Sequence, residues 1–199
     1  MNNNGRKIPS NFENPIDNIL IKLCDININT FQKCNITPNM VTIFRFFLSI
    51  GVFYKLFYTC EIAFPIIGSA ICYFLDCMDG HLARSTNQIT ILGDYLDHAA
   101  DLFFVIMFAI YMITKQYDYK EEIIIFMAIL GYMSCVHLSL QQKNYAKLNS
   151  IENRDELLDS LDMIHNYKAH DIIWSRYFGF GTLIFCMLFV IYFIQTQCH

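Results

Sequence analysis

The stretch DCMDGHLARSTNQITILGDYLDHAAD, residues 76–101, decides how the rest of the chain is read, because it sets acidic side chains between segments apolar enough to cross a membrane. Asp76 and Asp79 are three residues apart and Asp97 and Asp101 four, so on helices each pair shares a face. Two such helices packed side by side would bring four carboxylates to one point. A carboxylate near a bilayer centre costs about 2.5 to 3.5 kcal/mol, so four unpaired ones would cost roughly 10 kcal/mol. A pair of divalent cations is the natural compensation. Hard cations such as Mg²⁺ take oxygen ligands and bridge phosphates, and two of them can stabilise both the attacking and the leaving oxygen. Zinc would call for His or Cys ligands. The stretch therefore reads as an active site for phosphoryl chemistry.

Outward from it, the chain reads as helical spans. The apolar run IAFPIIGSAICYFL flows directly into Asp76, giving a span over about 62–84 with its acidic end close to the membrane surface. Residues 85–92 form a short connection to a span over about 94–114, with Gly93-Asp94 as the helix start. Upstream, Thr37-Pro38-Asn39 caps a span over about 38–59. Arg45, a turn inside it, is expected to snorkel to headgroups or pair with an acidic group, without a catalytic role. Downstream come spans over about 121–140 and 174–195, with His137 expected to be hydrogen-bonded inside the core. The polar stretch 141–172 between them carries Leu157, Leu158, Leu161 and Ile164 at the spacing of a short amphipathic helix. His165 and His170, five apart, do not share a helical face and are not expected to bind metal.

Residues 1–13 are polar, without an apolar core of the kind a cleavable signal peptide needs. Asn14-Pro15 then opens a helix with Ile16, Ile19, Leu20 and Leu23 on one face and Asp17, Asn18, Lys22 and Asp25 off it. It is too polar to span and is expected to lie on the membrane surface. The fold class is thus all-α, a polytopic membrane helix bundle of about five to six transmembrane helices with an N-terminal amphipathic surface helix. Residues 1–35 form the polar terminus and surface helix and residues 36–199 the membrane domain.

Composition agrees. The 199 residues are 55% hydrophobic and 16% aromatic with only 16% charged, which no ordinary soluble domain shows. The net charge of −4 carries no basic footprint for nucleic acid. Eight cysteines without a CxxC pair read as small buried hydrophobes in a reducing setting.

The spacing Asp-x2-Asp-Gly-x2-Ala-Arg-x8-Gly-x3-Asp-x3-Asp is filled without departure by Asp76, Asp79, Gly80, Ala83, Arg84, Gly93, Asp97 and Asp101. Eight fixed letters match by chance on the order of once in a billion starts. In this the chain resembles the class-I CDP-alcohol phosphatidyltransferases, membrane enzymes that transfer a phosphate-linked group from a CDP-alcohol to a second alcohol and release CMP. The resemblance implies two Mg²⁺ or Mn²⁺ ions held by Asp76, Asp79, Asp97 and Asp101, with Asp101 as general base. It assigns Gly80, Ala83, Arg84 and Gly93 to the CDP moiety: the small residues allow close approach, and the Arg84 fork suits a diphosphate. TPNMVT, residues 37–42, resembles a Pro-Asn-x-x-Thr element of the family, which adds Asn39 and Thr42 to the nucleotide pocket; capping and back-bonding explain the same two residues as well.

The implied partners are a CDP-alcohol, an acceptor alcohol or lipid, and membrane lipids; a homodimer is compatible with the sequence. The compact length resembles members that use CDP-diacylglycerol, which is the favoured donor. The wording FLDCMDG…ARSTN…LGDYLDH resembles choline and ethanolamine phosphotransferases, which accept onto diacylglycerol, and this alternative stays open. So does a non-catalytic membrane protein keeping the fold. An ion or proton transporter would also carry membrane carboxylates, but does not account for the fixed Gly, Ala and Arg. Leu102 stands where members with phosphorylated or inositol acceptors often have a basic residue. Lys143, Lys147 and Arg154 are candidate borders of the acceptor site. Lys and Arg fall mostly on the side of the amino terminus, of 85–92 and of 141–172, against Lys55, Lys115 and Lys120 on the other. The active site is therefore expected to face the cytoplasm.

Overall fold

The computed structural model describes residues 5–6, 8–149 and 171–198, with side chains left undescribed over 144–149. It is built of helices: α1 Pro15–Lys33, α2 Pro38–Tyr58, α3 Ala63–Ser85, α4 Ile91–Thr114, α5 Lys120–Asn149, the short α6 Ile172–Ser175 and α7 Phe180–Thr196, with a 3₁₀ turn at Arg176–Phe178 joining the last two. Among the described residues, five stretches are long and apolar enough to cross a membrane: α2, α3, α4, Lys120–Lys143 of α5, and Ile172–Thr196. The amphipathic helix expected around 157–164 and the pair His165 and His170 lie outside the described residues.

The ends follow local chemistry. Asn14 caps α1, its side chain accepting from the Ile16 N–H at 2.9 Å, with Pro15 in the first turn. Thr37 caps α2 ahead of Pro38. At α4 the expected start at Gly93-Asp94 is corrected: Thr90 is the cap, accepting from the Gly93 N–H at 3.0 Å, and Asp94 sits inside the first turn. A hydroxyl three residues earlier can reach that orphan N–H, so Gly93 is freed for packing.

α2 and α3 pair along their length, and α4 packs on α2. The largest apolar core lies among α2, α4, α5 and α7 and includes Phe53, Leu56, Tyr111, Met187 and Ile191. Large side chains such as Phe47, Ile67, Ile106, Ile129 and Phe189 point outward, as they must when the surrounding solvent is lipid.

α1 docks differently from its sequence reading. Asp17, Ile21 and Cys24, spaced by four and three, are its buried residues, while Ile19, Leu23 and Ile26 remain exposed. The helix therefore turns a mixed stripe to the bundle and leaves an apolar stripe for lipid, as an interfacial helix does. Asp17 is accommodated because the Tyr73 hydroxyl donates to its carboxylate. Behind it, the fully buried Asn14 donates through Nδ2 to the Arg176 carbonyl at 2.6 Å and to Thr182 Oγ1 at 2.9 Å. His137 is a core histidine as expected, with Nδ1 2.9 Å from Ser175 Oγ and Nε2 3.1 Å from Gln141. These bonds tie the amino-terminal segment, the end of α5 and the start of α7 to one end of the bundle.

The reading of all eight cysteines as reduced is corrected for one pair. Cys60 and Cys198 form a disulfide between the α2–α3 connection and the end of α7. Sequence separation of 138 residues hides that proximity. Cys24 and Cys72 are buried and unpaired, as expected of small apolar side chains.

Candidate active site

α3 and α4 follow one another through the short connection 86–90, and each packs on α2. Asp76 sits nine residues before the end of α3 and Asp97 six after the start of α4, which places the carboxylates on the order of 10 Å inside the helix ends rather than at the surface. Asp76, Asp97 and Asp101 each present a carboxylate oxygen within 4.8 Å of the others. Their side chains are 25%, 38% and 41% exposed, so the cluster is reachable from outside the core. An all-oxygen set of this size fits a hard divalent cation.

Asp79 stands apart from those three. It is buried, and the Thr42 hydroxyl reaches its Oδ2 at 2.7 Å while lying 3.2 Å from the Pro38 carbonyl of its own helix. Thr42 is thus both back-bonded and in the site, anchoring α2 to a carboxylate of α3. Asn39 and Gly93 also meet: a Cβ on Gly93 would lie 2.7 Å from Asn39 Oδ1. The glycine is needed for the approach of α4 to the start of α2. Arg84 folds its guanidinium over Gly80, where a Cβ would sit 3.0 Å from Nη1, and Arg84 Nε donates to the Gly5 carbonyl at 2.6 Å. Ala83 lies beside it on α3, half-buried. The sequence-named residues therefore fall into three neighbouring groups: the cluster of three aspartates, the Thr42–Asp79 pair, and the Gly80–Arg84 and Asn39–Gly93 contacts at the helix ends.

Arg45 is the residue that sequence reasoning undervalued. Its side chain is only 7% exposed, and its guanidinium bonds Asp76, Asp101 Oδ1 at 2.7 Å and Asp97 Oδ1 at 2.8 Å. Of its two expected fates it takes the pairing one. The signal was present: a full charge in an apolar span must find a partner, and Arg45 is three residues on from Thr42, on the same face. Tyr73 and Ser69 also reach the site region without having been singled out.

Below the cluster an open cavity runs between α2, α3, α4 and α7. Asp76, Asp101 and Arg45 form its polar end, and Phe104, Val105, Leu183, Ile184 and Met187 its apolar wall.

Of the basic residues suggested as acceptor borders, Lys143 lies in α5, while Lys147 and Arg154 have no described side chains. Leu102 is exposed on α4.

The chain is 36% identical over 72 residues to an archaetidylinositol phosphate synthase of Pyrococcus horikoshii, covering 36% of this chain and 38% of that protein. It is 35% identical over 77 residues to an uncharacterised protein of Aquifex aeolicus, covering 38% of each. The matched region thus spans under two-fifths of either curated relative. No solved structure matches. The model of the CDP-alcohol phosphatidyltransferase family matches residues 35–196, a range that takes in α2 to α7 and every residue of the site described above. The chain belongs to the CDP-alcohol phosphatidyltransferase family.

Proposed function

We propose that the chain is a membrane-embedded phosphotransferase of phospholipid synthesis that moves a phosphatidyl group from CDP-diacylglycerol to an acceptor alcohol and releases CMP. The observation that carries this reading is the meeting of Asp76, Asp97 and Asp101 at the polar end of a cavity whose other end is apolar. A phosphate-linked lipid matches both ends at once.

Asp76, Asp79, Asp97 and Asp101 would hold two Mg²⁺ or Mn²⁺ ions, which when bound neutralise the diphosphate and the leaving CMP. Asp101 accepts the proton of the acceptor hydroxyl, whose oxygen attacks the β-phosphorus of the CDP-alcohol as the bond to the CMP oxygen breaks. At 41% exposure and at the cavity mouth, Asp101 is the carboxylate best placed to meet a second substrate. Gly80 makes room for the Arg84 guanidinium, which adds donors for the diphosphate, and Gly93 lets Asn39 approach the start of α4.

The lipid donor is supported by the apolar cavity wall and by the Pyrococcus relative, which is named for a lipid product. The exposed Leu102 after Asp101 weighs against a phosphorylated or inositol acceptor without excluding either. The site faces the cytoplasm in this reading, because the lysines Lys55, Lys115 and Lys120 and the Cys60–Cys198 disulfide share the opposite end of the helices. Incubating the purified protein with Mg²⁺ and labelled CDP-diacylglycerol or, separately, CDP-choline or CDP-ethanolamine tests the donor. CMP from the lipid donor is expected; CMP from the water-soluble donors alone would instead establish the choline or ethanolamine phosphotransferase reading.

A further inference from the structure

We infer that Arg45 is a built-in counter-cation of the carboxylate cluster, which divalent ions must displace from the aspartates in order to bind. The inference rests on the metal-site reading above. Arginine frequently pairs two parallel N–H groups with the two oxygens of one carboxylate. Arg45 does otherwise: Nη1 donates to Asp76 Oδ1 and Asp101 Oδ1, and Nη2 to Asp97 Oδ1 and, at 3.3 Å, to the Asp97 carbonyl. Three carboxylates from two helices each give one oxygen to a single positive group, the radial arrangement of ligands about an ion. Arg45 Nε is buried without a hydrogen-bond partner, so the fit is incomplete on the side away from the aspartates.

The same geometry offers the side chain somewhere to go. Arg45 lines the cavity together with Ser69, a buried residue whose Oγ also lacks a partner. A guanidinium displaced toward that space would leave the aspartate oxygens to the ions and bring its own donors toward a phosphate or ester oxygen in the cavity. While it stays, its charge lies within hydrogen-bond distance of three ligands and opposes the entry of a second cation. Arg45 is in this sense a positioning residue: it holds the aspartates together before metal arrives and sets how tightly metal is taken.

The test is Mn²⁺ binding by the detergent-purified protein, followed by electron paramagnetic resonance, with thermal unfolding in chelator as a second readout. Arg45→Gln is expected to bind Mn²⁺ at least about tenfold tighter than wild type, to unfold at lower temperature in chelator, and to regain that loss when Mn²⁺ is added. General damage to the site would weaken Mn²⁺ binding, so the direction separates the two. Mn²⁺ affinity equal to or weaker than wild type would overturn the inference. If Arg45→Gln does not fold, Arg45→Lys decides by the same criterion, since it keeps a charge at that depth but cannot bridge three carboxylates. No Mn²⁺ binding by either the wild type or Arg45→Gln would remove the metal-site reading itself, and the inference with it.

Discussion

Replacing Asp101 by Asn removes a proton acceptor while keeping the shape of the side chain, so turnover should fall below about a tenth of wild type with insertion unchanged. CMP release per unit of folded protein measures it; retention above that level would contradict the general-base role. Asp76→Asn and Asp97→Asn should lose nearly as much, because all three oxygens meet at one point. Packing at the same scale can be tested apart from charge. Gly93→Ala would push a methyl into Asn39 Oδ1 and shift the start of α4, which should cost roughly tenfold or more in turnover. Gly131→Ala has nothing within 4 Å of the new Cβ and serves as the control, with activity expected to stay at wild type. The four aspartates, Gly80, Ala83, Arg84 and Gly93 were legible in the sequence because their spacing is fixed within 26 residues of one helical hairpin. That Arg45 would pair with an acidic group was one of two readings its span allowed, but which carboxylates it meets, and the bond of Tyr73 to Asp17, were not legible, because those partners lie on other helices.

Docking of α1 is the element with a pH dependence that can be assigned. Burial pushes the Asp17 carboxyl up to about 7, repulsion from Glu13 and Asp76 adds to it, and the Tyr73 hydroxyl opposes it. A raised acid binds its proton more tightly folded than unfolded, so its contribution to stability falls as pH rises from about 4 to about 7 and is flat above. Asp17→Asn, which keeps an oxygen for Tyr73 but cannot ionise, should match wild type in melting temperature near pH 4. It should exceed wild type by a margin that grows toward about pH 7 and then levels off. A constant difference across that range would show that Asp17 does not titrate in the fold. The existence of α1 and its Asn14-Pro15 start could be read from local chemistry alone. Its buried face could not, since apolar side chains on an interfacial helix seek lipid as readily as protein, and only the Tyr73 partner explains why Asp17 turns inward.

For the whole molecule, the five spans and their order were legible because each is a long apolar run bounded by caps or polar residues. Their side assignments rest on charge, to which Arg45 does not contribute, since it is buried in a span rather than placed in a loop. That bias and the disulfide agree on one end. Labelling sealed vesicles with an impermeant thiol reagent should therefore leave a cysteine introduced at Asn149 untouched, and should modify Cys60 and Cys198 only after reduction. Reaction at position 149 from outside would reverse the orientation. The pairing of Cys60 with Cys198 was beyond the sequence, because helix packing alone brings these two distant positions together. The central claim is that the carboxylate cluster uses divalent metal to cleave a CDP-alcohol, and CMP formation by the purified protein tests it most directly. With CDP-diacylglycerol, an acceptor-containing lipid extract and Mg²⁺ or Mn²⁺, the wild type should release CMP, and chelator or Asp101→Asn should abolish it. Release that survives chelator and Asp101→Asn, or no CMP from any of CDP-diacylglycerol, CDP-choline and CDP-ethanolamine with metal present, would contradict it.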